Sequence, residues 1–195
     1  MSDQISQMEE SAEVAADDAE SVAFEEGFEA MQEERAEGIE TDAAYEDAFR
    51  TFISALGLRH FGFREFLFLG GSHYATGSAC QGKNALPPKA LWDNLAPTAK
   101  VLDELRERLG APIRLNSIYR NAAYNSCLSG AAAESQHKQM RATDFTASDG
   151  RGPTHWRSVL LTMRDFEGLF KGGIGIYNTF VHVDTRGHNV NWDGR

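Results

Sequence analysis

His137 and Asp144, seven residues apart in the run SQHKQMRATDF, and His182 in the run FVHVD are the side chains best suited to chemistry in this chain. Two imidazoles and one carboxylate can hold a zinc ion and leave its fourth position open, the ligand count of a catalytic rather than a structural zinc site. That chemistry is hydrolysis. A zinc ion so held would make a nucleophile of water near neutral pH and polarise a carbonyl, with no serine or cysteine nucleophile required. The same residue types also occur as a satisfied polar pair on a sheet surface, and spacing alone leaves both readings open.

The elements that must position these groups are legible in the hydrophobic pattern. ATDFTA reads as a short strand with Ala142 and Asp144 on one face and Thr143 and Phe145 on the other. In FVHVD the same alternation turns Val181 and Val183 inward and places His182 with Asp184 on the opposite face. If the two strands are neighbours, Asp144 and His182 come within coordination distance, and a loop folding back over the sheet brings His137. Leu91, Leu95, Ala99, Leu102, Leu105 and Leu109 recur at helical spacing and predict a helix ended by Gly110 and followed by Pro112. IRLNSIY reads as a further strand. A second helix is expected over roughly His155 to Phe170, and Gly172, Gly173 and Gly175 mark the tight entry to the His182 strand. These elements predict an α+β fold: a small, mainly antiparallel sheet bearing the site, with helices packed on its other side.

SQHKQMRATDF resembles the Ser-x-His-x-x-Gly-x-Ala-x-Asp motif of the zinc D-alanyl-D-alanine peptidases, peptidoglycan-cleaving metallopeptidases of hedgehog-like fold. FVHVD is similar to the strand that carries their last zinc histidine. The run APIRLNSIYRNAAYN resembles the segment in which a Tyr-Arg pair delivers an arginine to the active site. The likeness spans roughly Phe63 to Trp192. It implies a zinc peptidase that cuts an amide bond beside a D-amino acid in peptidoglycan stem or cross-link peptides. His137, Asp144 and His182 would be the metal ligands. Arg120 would hold a substrate carboxylate or steady the developing oxyanion with its planar fork, and Tyr119 and Ser135 would sit beside the substrate.

Two positions depart from that pattern. Met140 stands where the family has glycine, so the loop after His137 must avoid the positive dihedral that glycine accepts or bear the strain. Thr179 stands three residues before His182, where carboxypeptidase-type relatives place an Asp or Glu as general base. Asp184, two residues past His182 on the same strand face, is the candidate base, or else it orients a ligating imidazole by accepting its other N–H. His188 is a third option. The departures also admit a different class of protein, a metal-holding or peptidoglycan-binding module that keeps the fold without catalysis.

Charge divides the chain into two parts. Residues 1–50 hold 17 acidic and 2 basic side chains, a net of −15, whereas residues 51–195 carry +5 within an overall −10. An acidic arm, low in aromatics and expected to be disordered to about residue 20, thus precedes a mildly basic peptidase domain beginning at residue 51. That excess suits an anionic polymer such as cell wall and is too small to indicate nucleic-acid binding. Phe24, Phe28 and Met31, then Tyr45, Phe49, Phe52, Ile53 and Leu56, form helical stripes that pack on the domain, dock to a partner such as a virion or pore component, or cover the basic cleft before release. No stretch is long enough to insert in a membrane, and the first residues lack a secretory pattern. The expected setting is therefore synthesis in the cytoplasm and action on the wall, as for a phage lysis or virion-associated protein. Cys80 and Cys127 either form a disulfide or remain two unrelated thiols. His60, His73 and His155 read as surface or packing residues.

Overall fold

The computed structural model describes residues 43–195. Five strands, β1 (Ile113–Ser117), β2 (Ala142–Ala147), β3 (Gly173–Ile176), β4 (Val181–Asp184) and β5 (Val190–Asp193), form one sheet in the order β1-β2-β4-β3-β5. Every pairing is antiparallel except β3 with β5. Helices α1 (Ala43–Ala55), α2 (Gly71–Tyr74), α3 (Trp92–Leu109), α4 (Ala122–Cys127) and α5 (Pro153–Leu161) complete the architecture. The fold is α+β, the mainly antiparallel sheet with packed helices that the strand and helix patterns predict.

The core lies between one face of the sheet and helices α3 and α5. Leu95, Ala99, Leu102, Leu105 and Leu109 of α3 are buried against Phe145, Ile174, Val181 and Val183 of the strands. Burying each large apolar side chain contributes roughly 1.5–3 kcal/mol, so this face of α3 fixes the helix on the sheet. Gly110, at φ 62°, ends the helix in the left-handed cap expected of it. Thr98 ties the same helix to the site-bearing strands: its Oγ1 donates to the Arg141 carbonyl at 2.8 Å and lies 2.8 Å from the Thr185 hydroxyl.

Helix α1 runs without a break through residues 50 and 51. Its Phe49 and Ile53 are core, and the Trp92 ring sits 5.2 Å from Tyr45, 4.9 Å from Phe49 and 5.8 Å from Phe52. The second stripe thus packs on the domain. The first, at Phe24, Phe28 and Met31, lies outside the described residues, as does most of the acidic arm.

Two elements differ from the sequence pattern for identifiable reasons. The helix expected to reach Phe170 stops at Leu161 and widens into a π-turn over Thr162–Phe166. The wider turn carries Arg164 inward, where its Nη1 donates to the carbonyls of Gly172 (2.9 Å) and Val190 (3.1 Å) and its Nη2 to Asn191 Oδ1 (2.9 Å). Gly172, Gly173 and Gly175 adopt no positive φ. They are needed for close approach: a Cβ at Gly173 would strike the Asp184 carboxylate, and one at Gly175 would strike the Trp192 indole. Cys80 and Cys127 are bridged, with Cα atoms 5.5 Å apart, which fastens the loop after α2 to the end of α4.

Candidate active site

The register of β2 and β4 sets Asp144 opposite His182 and Ala142 opposite Asp184. The two polar strand faces therefore meet side by side. His137 arrives on a 3-10 turn, Gln136–Gln139, capped by Ser135, whose hydroxyl accepts the His137 N–H. Met140 closes the turn at φ 56° and ψ 33° and donates its N–H to the His137 carbonyl at 3.0 Å. The loop thus bears the strain rather than avoiding it. A left-handed L-residue costs about 1–2 kcal/mol, and the complete burial of the Met140 side chain offsets a penalty of that size.

His137 Nε2, His182 Nδ1 and Asp144 Oδ1 converge. They lie 3.2 Å (His137 to Asp144), 2.8 Å (His182 to Asp144) and 3.3 Å (His137 to His182) apart. Donors held at about 2.0–2.2 Å by a tetrahedral ion stand about 3.3–3.6 Å from one another. An opening of a few tenths of an ångström would convert this hydrogen-bonded triplet into a ligand set. The outer hydrogen bonds suit ligation: His137 Nδ1–H donates to the Ile118 carbonyl at 2.7 Å and His182 Nε2–H to Asp184 Oδ2 at 3.0 Å, so that each imidazole, once neutral, turns the lone pair of its other nitrogen toward the metal position. All three side chains are buried yet line one cleft. On the chemistry of its donors the group can hold a metal ion.

Burial acts on each member differently. It lowers the pKa of His137 to about 4, with the Arg120 cation adding to the effect, so this imidazole is neutral and ready to ligate. For Asp144, burial raises the pKa, but His137 and Arg120 outweigh it and hold the carboxyl well below its usual range. For His182, burial lowers the pKa, and the hydrogen bonds to Asp144 and Asp184 reverse the balance, leaving it raised.

Arg120 is brought into the site. Its Nη2 donates to Asp144 Oδ2, the oxygen turned away from the histidines, and its Nε donates to Ser117 Oγ at 2.7 Å. Asp144 thereby keeps one oxygen for a metal and one for arginine. Ser135 and Thr179 also line the cleft. Tyr119 does not; its side chain packs against the core beside the Asn84 amide bonded to its carbonyl. Asp184 lies behind His182 and outside the cleft lining, fully buried, and holds Gly173 N–H (3.0 Å) and Arg186 as well as His182. His188 is exposed and away from the cleft. His60 pairs with Glu107, His155 faces Asp149, and His73 Nδ1 accepts the Asn84 N–H.

The cleft, about 800 Å³, has two unlike walls. Arg114, Asn116 and Arg120 stand on the β1 side. Tyr177, Phe180 and Trp192 stand on the β3–β5 side, with Tyr177 and Phe180 stacked at 4.3 Å and the Trp192 ring 5.0 Å from His182. Sequence reasoning missed this aromatic wall. The signal was present: glycines at 173 and 175 leave a trough on the sheet that the indole of Trp192 fills.

A buried His-Asp-His group on the open face of an α+β sheet, at the floor of a cleft with an arginine against its carboxylate, defines a metallopeptidase-type centre. The Peptidase M15 family model matches residues 73–184, more than half of the chain, including all three ligand candidates and Arg120. The chain belongs to this family, that of the zinc D-Ala-D-Ala carboxypeptidase type, and is a metallopeptidase by that membership. Neither a curated protein nor a solved structure matches the chain. No helix among the described residues is long and apolar enough to cross a membrane.

Proposed function

We propose that this chain is a zinc peptidase that hydrolyses an amide bond beside a D-amino acid in peptidoglycan stem or cross-link peptides. The observation that carries the reading is the convergence of His137, Asp144 and His182 within 2.8–3.3 Å at the floor of a cleft that also holds Arg120. Zinc held there by His137, Asp144 and His182 would supply Lewis acidity toward a scissile carbonyl and a water nucleophile. The chain's own residues do the rest. His137 and His182 are fixed in the ligating tautomer by Ile118 and Asp184. Arg120 presents a permanent, planar cation beside the reacting centre for the developing oxyanion or a substrate carboxylate. The arginine-bearing β1 wall suits the carboxylate-rich end of a stem peptide, and the aromatic wall suits its apolar groups. The Cys80–Cys127 bridge supports action outside the reducing cytoplasm.

The test is to incubate purified sacculi and isolated muropeptides with zinc-loaded protein and to identify the products by mass. Peptides shortened by hydrolysis, absent with His182→Ala, are the expected result; intact substrates with the zinc-loaded chain would overturn the proposal. A second reading, a peptidoglycan-binding module without catalysis, is favoured by one observation. Thr179 lines the cleft at the position where carboxypeptidase-type relatives carry a carboxylate, and it offers only a hydroxyl. Retention of the protein on sacculi without any cleavage would select that reading.

A further inference from the structure

Arg120 sits in a turn between β1 and α4 with no regular strand or helix to hold its backbone. Its own N–H donates to the His137 carbonyl at 3.3 Å, and a side chain far away in sequence holds the peptide units on either side of its Cα. Asn84 is 6% exposed. Its Nδ2 donates to the Tyr119 carbonyl at 2.8 Å and to the Leu69 carbonyl at 2.8 Å, and its Oδ1 accepts the Asn121 N–H at 3.0 Å. The Tyr119 carbonyl belongs to the peptide unit entering Arg120, and the Asn121 N–H belongs to the unit leaving it. One amide therefore grips both peptide planes that flank the Arg120 Cα. Because each plane is rigid, fixing the two fixes φ and ψ at Arg120 and with them the direction in which its Cβ leaves the backbone, while Ser117 and Asp144 hold the guanidinium end.

The surroundings of Asn84 are themselves anchored. Its own N–H donates to His73 Nδ1 at 3.0 Å, and the preceding carbonyl, that of Lys83, accepts from Asn121 Nδ2 at 2.8 Å. Asn121 in turn caps α4 by accepting the Tyr124 N–H at 2.7 Å. The Cys80–Cys127 bridge joins the two segments from the other side. Asn84 does not line the cleft; the peptide unit it grips meets the turn that carries His137 through the Arg120 N–H.

We propose that Asn84 is a positioning residue for Arg120: it sets the backbone of that residue so that the guanidinium meets Asp144 and the cleft, and it acts on turnover through Arg120 rather than through the metal. The inference rests on the role given to Arg120 in the proposed function. A misplacement of about 1 Å at a reacting centre can cost on the order of 100-fold in rate, so the expected effect is large for a residue outside the cleft.

The experiment is a double-mutant cycle on the full chain, with muropeptide hydrolysis and zinc affinity both measured. Asn84→Ala is expected to lower kcat/KM about 10- to 100-fold, to act mainly on kcat, and to change zinc affinity no more than Arg120→Ala does. In an Arg120→Ala background the same change is expected to alter turnover by less than about twofold. An equal loss in both backgrounds, or a fall in zinc affinity beyond that of Arg120→Ala, would overturn the proposal, since either shows a general structural role. Should Asn84→Ala not fold, Asn84→Asp is read by the same two criteria; it keeps the size of the side chain and the acceptor for Asn121 N–H while removing the donor to Tyr119. If the wild-type chain cleaves no muropeptide, the proposed function fails, and amide hydrogen exchange judges Asn84 independently. Loss of protection confined to Arg120, Asn121 and the cap of α4 would support the positioning role, whereas exchange unchanged there, or raised throughout the sheet, would remove it.

Discussion

Asp184 shows how fully one carboxylate can be committed. It accepts from His182 Nε2, from the backbone N–H of Gly173 and Arg186, and from the Arg186 guanidinium. Burial raises its pKa, but His182, Arg186 and Gly173 outweigh it and leave the group strongly acidic. A base must be free to take a proton, so the geometry favours an orienting role for Asp184. Asp184→Asn is then expected to weaken zinc affinity about 10- to 100-fold, with turnover recovering as zinc is added in excess. Competition with a chelator, read beside turnover, checks this; lost turnover at unchanged affinity would restore Asp184 as the base. Met140 poses a different balance. Met140→Gly relieves about 1–2 kcal/mol of backbone strain but empties a fully buried site, which costs roughly 2–5 kcal/mol. The second effect is larger, so a net loss of stability is expected in urea unfolding, and a more stable variant would show that the strain dominates.

At the scale of elements, what the sequence reveals depends on how local the determining contacts are. The α3 stripe and the faces of β2 and β4 were legible because burial follows the helical and strand periods through Leu95, Leu102, Val181 and Val183. The early end of α5 was not, because it is set by Arg164 reaching Gly172, Val190 and Asn191. Asn84 was invisible for the same reason, as its partners Tyr119 and Asn121 lie 35 and 37 residues away. The β5 strand and its Trp192 were missed because four alternating residues, half of them exposed, carry little pattern. The His-Asp-His triplet could be read because two of its members sit on adjacent strands in register. The cysteines stayed ambiguous because sequence gives no distance between the loops that carry them. Their bridge spans 47 residues, for which chain entropy predicts up to about 4 kcal/mol, with about 2–4 kcal/mol typical. Replacing both by serine is expected to lower the urea midpoint accordingly, and an unchanged midpoint would mean that the bridge contributes nothing to stability.

Across the whole molecule, the sheet divides two environments: an apolar face closed by α3 and α5, and an open face where charge is concentrated in a cleft. The two ligating histidines feel that division differently. His137, wholly enclosed and near Arg120, has its pKa lowered to about 4, whereas His182, bonded to two carboxylates, has its pKa raised above the ordinary value. Metal binds the neutral imidazole in both cases, so binding must displace whatever protons the free site holds. Below the raised pKa of His182 and above about 4, the free site carries one proton on the pair. Zinc affinity is therefore expected to rise about tenfold per pH unit through this window and to level off above the His182 pKa, where no imidazole proton remains to be displaced. Below about pH 4 a second proton competes and the slope should approach two. Asp144 adds nothing to the slope, since it is held ionised throughout this range. Zinc dissociation constants measured against a calibrated chelator from acidic to alkaline pH test the scheme. A slope of two near neutrality would mean that both imidazoles are protonated in the free site, and a flat profile there would mean that His182 is already neutral; either would refute the opposed shifts.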